Sequence, residues 1–241
     1  MLNTQPHEAN RFGERNAPLE VHSIFDTIQG EGPYAGMPAT FIRLAGCNLR
    51  CSHCDTDYTS QRTLMTVDQI LAAMNEHPLR GLVVLTGGEP LRQDVSGLIL
   101  DLLETRRVQI ETNGLGALWF DDPLMQSEFK TACKRAEHLR IVCSPKTREI
   151  GIDSWDYITD LKYVVSHDAV SKEDGLPLLS VGRQYGAPAR PPVGWKGGIY
   201  VQPLDSKDVV ENEKNMQAAV QSCLQYGYRL CLQMQKIVNL P

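Results

Sequence analysis

Six short apolar runs recur along the chain, and nearly every one ends in a small or polar group. They are "TFIRLAG" (40–46), "LVVLTGG" (82–88), "VQIETNG" (108–114), "RIVCSPK" (140–146), "LKYVV" (161–165) and "IYVQPL" (199–204). Short apolar runs of this kind fit buried parallel strands. Helical stretches sit between several of them. Thr66 opens one, with Gln69 at the capping-box spacing and Val67, Ile70, Leu71 and Met74 on one face. A second follows at about 94–105. A third starts near Ser206, carries Val209, Met216, Val220, Cys223 and Leu224, and ends at Gly227, a good C-cap residue. Strand–helix alternation predicts βαβ units and a parallel sheet. Six strands predict a partial (β/α) barrel of mainly parallel strands more than a complete eight-stranded one.

The groups that close the runs are Gly46-Cys47, Thr86-Gly87-Gly88-Glu89, Glu111-Thr112-Asn113-Gly114, Ser144-Pro145-Lys146 and Gln202-Pro203-Leu204-Asp205. They fall at the C-terminal ends of the strands, the edge that holds the active site in parallel α/β folds. One rim is therefore expected to carry the chemistry. A chain of 241 residues, 42% hydrophobic, buries a sizeable core without staples, and one domain over 19–241 accounts for it. Residues 1–18 are polar and aperiodic and are expected to form a flexible extension. Residues 166–198 are rich in Gly and Pro and without a clean period, so they read as a long excursion between two strands.

A net charge of −5 leaves no electrostatic footprint for nucleic acid or an anionic membrane. No apolar run has the length to span a bilayer, and the N-terminus lacks the apolar core of a secretory signal. A cytoplasmic setting, with reduced thiols, is expected. The odd count of seven cysteines agrees with it. Three of them, Cys47, Cys51 and Cys54, crowd into "GCNLRCSHCDT" (46–56), and Cys133, Cys143, Cys223 and Cys231 are scattered. A zinc ion would need a fourth ligand, which His22 or His53 could supply, but a second Cys-x2-Cys pair is absent. Inert buried cysteines are the blandest alternative. A cubane iron–sulfur cluster held by three thiolates leaves its fourth iron open to a substrate or cofactor.

"CNLRCSHCDT" resembles the signature of radical S-adenosylmethionine enzymes, and "LTGGEP" on the next strand resembles their Gly-Gly-Glu segment. "SIFDTIQGEGPYAGMPATFIRLAGCNLRCSHCDT", with "SPK", "QPLD" and "LCLQMQKIVNLP" in order, is similar to the 7-carboxy-7-deazaguanine synthase family from about residue 21 onward. Other radical S-adenosylmethionine enzymes, such as glycyl-radical activases, often carry extra cysteine-rich segments, and the scattered cysteines here show no such spacing. A non-enzymatic zinc-binding domain is the remaining alternative. The resemblance implies a homodimer that converts 6-carboxy-5,6,7,8-tetrahydropterin to 7-carboxy-7-deazaguanine with loss of ammonia, a 7-deazapurine and queuosine precursor. It also implies a one-electron donor of flavodoxin or ferredoxin type.

By that resemblance Cys47, Cys51 and Cys54 hold a 4Fe-4S cluster. His53, Cys54, Asp55, Gly88, Ser144, Pro145, Lys146, Gln202, Pro203, Leu204 and Asp205 meet S-adenosyl-L-methionine, with Thr112 and Asn113 as further contacts. Ile28, Gln29, Gly30 and Glu31 match the pterin-binding segment, where a carboxylate suits the ring's N–H donors. Arg43 is expected to clamp the substrate carboxylate, with Thr86 adding a strand-end contact. Thr56 matches a position that binds Mg2+, which often takes few protein ligands. The family carries His just before the Lys of the last strand, whereas this chain has Gln235 before Lys236. Leu230, Leu232 and Met234 alternate, so "RLCLQMQKIVNLP" is expected to dock as a strand, and the resemblance brings the carboxylate of Pro241 to the pterin.

Overall fold

The computed structural model describes residues 3–11, 17–79, 81–118, 120, 126–127, 129–131, 138–181 and 183–240. All six apolar runs form strands: β2 (Pro38–Leu44), β4 (Leu82–Gly87), β5 (Arg107–Thr112), β6 (Leu139–Cys143), β7 (Asp160–Val165) and β8 (Gly198–Pro203). Two more were not anticipated: β1 (Leu19–Ile28) pairs antiparallel with β2 on one side and with β3 (Thr63–Met65) on the other. Of the expected C-terminal strand only the two-residue β9 (Arg229–Leu230) forms, pairing parallel with β8. The order is β3-β1-β2-β4-β5-β6-β7-β8-β9, an open sheet that is parallel from β2 onward, hence a partial barrel.

Register gives the strands two different faces. Ile42, Leu44, Val83, Leu85, Val108, Ile110, Ile141, Tyr163 and Val201 are buried together in the main core. The helices α1 (Val67–Met74), α2 (Ser96–Leu103) and α3 (Val209–Tyr226) cover that face, contributing Ile70, Met74, Leu98, Ile99, Leu102 and Ala219. Burying a Leu or Ile side chain fully contributes about 1.5–3 kcal/mol. The opposite, concave face carries Arg43 beside Thr86, Val84 beside Gln109, Glu111 beside Val142, and Lys162 beside Tyr200. Polar side chains thus alternate with apolar ones inside runs that read as continuous hydrophobic strands.

The caps follow the sequence. Thr66 Oγ1 accepts from Gln69 N (3.3 Å) while Gln69 Oε1 accepts from Thr66 N (2.9 Å), a complete capping box. Asp208 caps α3, two residues after Ser206, accepting from Glu211 N, and Gly227 ends it at φ 74°. The described residues of the 166–198 excursion run mainly as turns up to the start of β8, with an isolated bridge from Val170 to Pro177, and are tied to β7 and α3 through Tyr163 Oη to Ala189 O (2.7 Å) and Ser222 Oγ to Gly175 O (2.6 Å).

Two expectations need correction. Residues 3–11 are not a loose extension. They lie against the loop after β2, with backbone bonds from Asn3 N to Ser52 O and Glu8 N to Cys47 O. Their polar side chains pair with loop backbone, where composition suggested only solvent. The C-terminal segment is not a long strand either. It leaves the sheet after Cys231 and makes one helical turn, α4 (Met234–Ile237). Polar partners pull it off the ladder: Gln233 reaches Glu31, and Lys236 reaches Asp55. Pro241 lies outside the described residues.

Leu98→Ala, in the core under α2, is expected to cost about 2–5 kcal/mol in urea unfolding. Leu224→Ala, on an α3 position 83% exposed, is expected to stay within about 0.5 kcal/mol. An equally large loss at Leu224 would show that this stripe of α3 is covered in solution.

Candidate active site

The ends of β2 and β4 come together more closely than side chains would permit. A Cβ on Gly87 would lie 2.2 Å from Leu44 O, and one on Gly88 would lie 2.1 Å from Gly46 O and 2.8 Å from the Cys47 Cβ. Gly87 also takes φ 146°, open to glycine at no steric cost. Gly88 N and Glu89 N then donate to Leu44 O (3.2 Å) and Gly46 O (3.0 Å), so the first cysteine loop is stitched to the Gly-Gly turn. Glu89 is fully buried and accepts from Leu91 N (3.0 Å), Thr112 Oγ1 (2.7 Å) and Asn113 N (2.7 Å), which ties the end of β4 to that of β5. Burial pushes its carboxyl up to about 7 against those three donors.

Cys47, Cys51 and Cys54 all line one cavity of about 290 Å3 at this rim, and all are free thiols. Leu49 and Tyr58 pack beneath them. Burial pushes the Cys47 thiol up to about 12, with the Glu89 charge adding to it, and burial raises Cys51 and Cys54 as well. Such thiols keep their protons until a strongly cationic centre draws them off. Among the described residues no three His, Cys, Asp or Glu side chains form a group that could hold a single metal ion. Three thiols spread round one cavity fit the corners of a polynuclear cluster, whose irons each take a separate thiolate. The donor set therefore suits a cubane better than zinc.

The same cavity collects His53, Asp55, Gly88, Ser144, Lys146, Gln202, Leu204 and Asp205 from the cofactor group, Thr56 from the expected Mg2+ position, and Glu31 and Thr86 from the substrate group. Thr112 and Asn113 line it too. Pro145 and Pro203 belong to the segments that frame it but do not face it. Ile28 ends β1 opposite Pro38. Gln29 acts one step back, with Nε2 donating to Glu111 (2.9 Å) and Oε1 accepting from Glu31 N (3.1 Å). Gly30 is overlaid by Gln235, whose Oε1 sits 1.5 Å from where a Cβ would be. Arg43 stacks its guanidinium over Phe25 at 5.1 Å, and its Nε is buried with no hydrogen-bond partner. An orphaned guanidinium donor is a fitting seat for an incoming carboxylate.

Four residues at the site were given no role from sequence, although Glu111 stood in one of the strand-end groups. Glu111 accepts from Gln29, Gln109 Nε2 (3.1 Å) and Thr86 Oγ1 (3.2 Å). Lys162 pairs with Glu31. Burial works against that ammonium, but Glu31 and Glu111 outweigh it and hold its pKa above the usual range. Burial would raise Glu31, yet Lys162 and Gln233 hold its carboxyl below the usual range. Gln233 and Lys236 come from the C-terminal turn. Lys236 Nζ lies 2.8 Å from Asp55 and 3.3 Å from Asp205, bridging the thiol loop to the end of β8. A lysine inside the run "LKYVV" was the available signal for Lys162.

A family model described as the Radical SAM superfamily matches residues 41–118. The chain is 40% identical over 232 residues to the 7-carboxy-7-deazaguanine synthase of Rhodospirillum rubrum, covering 92% of each chain. The chain belongs to the 7-carboxy-7-deazaguanine synthase family. The family's protein from Rickettsia prowazekii is 36% identical over 236 residues, covering 92% of this chain and 88% of its own. The crystal structure of QueE from Escherichia coli matches with a TM-score of 0.64 at 21% identity, over 90% of this chain and 94% of that one, a likeness of fold. As a radical SAM member of the 7-carboxy-7-deazaguanine synthase family, the chain has a role in 7-deazapurine biosynthesis, works with a 4Fe-4S cluster and S-adenosylmethionine, and takes a small-molecule substrate and an electron donor. Among the described residues no helix is long and apolar enough to cross a membrane.

Glu89→Gln is expected to lower the stability of the apoprotein by about 1–3 kcal/mol, since the amide turns an NH2 group toward donors the carboxylate accepted from. Urea unfolding measures this. An unchanged midpoint would show that the three donors do not depend on the carboxylate.

Proposed function

We propose that this chain converts 6-carboxy-5,6,7,8-tetrahydropterin to 7-carboxy-7-deazaguanine with loss of ammonia. The observation that carries the reading is that three free thiols and a set of polar groups, the buried Glu31 and the half-buried Thr86, Glu111 and Lys162, line the same cavity. Cys47, Cys51 and Cys54 would hold the cluster. His53 to Asp55, Gly88, Ser144 to Lys146 and Gln202 to Asp205 would hold S-adenosylmethionine. Bound there, the pair supplies a carbon-centred radical able to take hydrogen from an unactivated C–H bond. The remaining work belongs to the protein. Arg43 offers its unpaired Nε to the substrate carboxylate. Glu31 accepts from the pterin's N–H groups while Lys162 keeps it ionised. Glu111, fixed by three donors, gives the ring a second acceptor. Binding in such a walled site orients the reacting carbon and keeps water away.

Thr56 is read as the protein's ligand to Mg2+. Its carbonyl is already taken by Gln5 Nε2 (2.9 Å), which leaves the hydroxyl for a cation. The electron donor is read as a flavodoxin or ferredoxin in a reducing cytoplasm. The exposed apolar stripe Met216, Val220 and Leu224 on α3 supports self-association as a homodimer.

Anaerobic turnover with carboxytetrahydropterin, S-adenosylmethionine and a reductant, followed by product mass, tests the reaction. Formation of 5′-deoxyadenosine without the deazaguanine product would overturn it. Cys51→Ala is expected to abolish the brown cluster absorbance and cofactor cleavage, and Cys223→Ala to spare both. A fully active Cys51→Ala protein would remove the mechanism. Arg43→Ala is expected to keep the cluster but weaken substrate binding by on the order of 2–3 kcal/mol, read as a rise in Kd. Loss of the cluster with unchanged substrate affinity would make Arg43 structural.

A further inference from the structure

The loop that carries the thiols has almost no regular structure. Two backbone bonds close it on itself, Gly46 N to Tyr58 O (2.9 Å) and Cys54 N to Cys51 O (3.2 Å). Backbone groups at a buried site must find partners somewhere. Much of the remaining need is met by residues 3–8. Glu8 N donates to Cys47 O (2.8 Å) and Asn3 N to Ser52 O (3.0 Å). Asn3 Nδ2 donates to Cys51 O (3.1 Å) and Gln5 Nε2 to Thr56 O (2.9 Å). Gln5 Oε1 in turn accepts from Tyr58 N (2.8 Å) and Thr59 Oγ1 (3.1 Å). Two of the three cysteine carbonyls are therefore held from outside the loop, and both carboxamides are used as donor and acceptor at once.

The segment is itself anchored. The Glu8 carboxylate pairs with Arg62 and lies 3.6 Å from the buried Arg92, which also donates to Ala9 O (3.1 Å). Asn10 Oδ1 accepts from Asn48 Nδ2 (2.9 Å), and Asn48 Oδ1 accepts from Asn113 Nδ2 (2.8 Å), next to the Gly-Gly-Glu turn. Under it Tyr58, 1% exposed, forms the floor of the thiol cluster.

We propose that residues 3–10 are a strap that holds the thiol loop in its cluster-binding shape and shields its outer side from water, with Asn3 and Gln5 as positioning residues. This rests on the reading of Cys47, Cys51 and Cys54 as cluster ligands. Neither carboxamide touches the thiols' cavity side; each acts through the backbone of the loop. Without the strap the loop carbonyls turn to water, the loop loosens, and solvent reaches the cluster. Solvent exposure favours the more highly charged reduced cluster and so moves its potential in the positive direction.

The test compares wild type, Asn3→Ala, Gln5→Ala and Gln5→Glu, which keeps the acceptor for Tyr58 N but loses the donor to Thr56 O. In the apoprotein, hydrogen exchange of the Tyr58 amide is expected to quicken in Gln5→Ala and much less in Gln5→Glu, with the unfolding midpoint nearly unchanged. In the reconstituted protein, iron release to a chelator is expected to rise roughly tenfold in Gln5→Ala, about the loss of one hydrogen bond, and the midpoint potential to move positive. Iron release and potential equal to wild type in both alanine variants would overturn the strap, even if exchange quickens, since the segment would then be packing alone. Cys51→Ala run alongside separates the two readings: iron retained there removes the cluster assignment, whatever the strap does.

Discussion

The close approach of β2 and β4 is the constraint on which the site depends. Gly87 and Gly88 let the backbone of one strand end lie on the other, and no residue with a side chain could stand at Gly88 without displacing Gly46 or Cys47. That approach sets where the first thiol sits relative to the sheet. Glu89, one residue further, spends a buried carboxylate on three donors from the next turn and the next strand, so the rim behaves as one piece. A buried acid costs several kcal/mol of desolvation unless such donors surround it. The geometry of the rim is thus maintained by one steric allowance and one polar hub.

Below the rim the sheet uses its alternation to build chemistry. The strands turn one set of residues to the helices and the other to the concave face, so Thr86, Glu111 and Lys162 reach the cavity from three different strands, with Arg43 beside Thr86 on the same face. Rigid strands place such groups more precisely than loops do. The loops supply the thiols and the C-terminal lysine, where adjustment to a bound group is needed.

Much of this was legible in the chain. The six inner strands, the capping box at Thr66 and the C-cap at Gly227 follow from periodicity and local chemistry, and the rim follows from what stands at the strand ends. β1 was not legible, because His22, Ser23, Asp26 and Thr27 break its apolar pattern; the partners of Asp26 and Phe25 are far along the chain, Thr40 and His77 for the one and Phe41 for the other. The N-terminal segment escaped for a related reason. Asn3, Gln5 and Glu8 look like a solvated tail, and only the fold shows a loop whose backbone needs them. The C-terminal alternation read as a strand because nothing local shows that Gln233 and Lys236 have acidic partners across the site.

Those partners decide how the cavity can receive a charged heterocycle. Glu31, Asp55, Glu111 and Asp205 each already hold a donor, from Lys162, Lys236, Gln29 and Lys207 among others. A ligand that presents N–H groups to Glu31 or Glu111 must therefore exchange partners, and such exchange adds little net energy. Arg43 differs, since its buried Nε has no partner to give up. A carboxylate arriving there satisfies a group that is otherwise left desolvated and unpaired, which is where binding gains most. In the proposed reaction the carboxylate would fix the ligand's place, and the acceptors of Glu31 and Glu111 would select its orientation. On that reading affinity and recognition would be divided between a strand residue with an unpaired buried donor and carboxylates whose donors must yield.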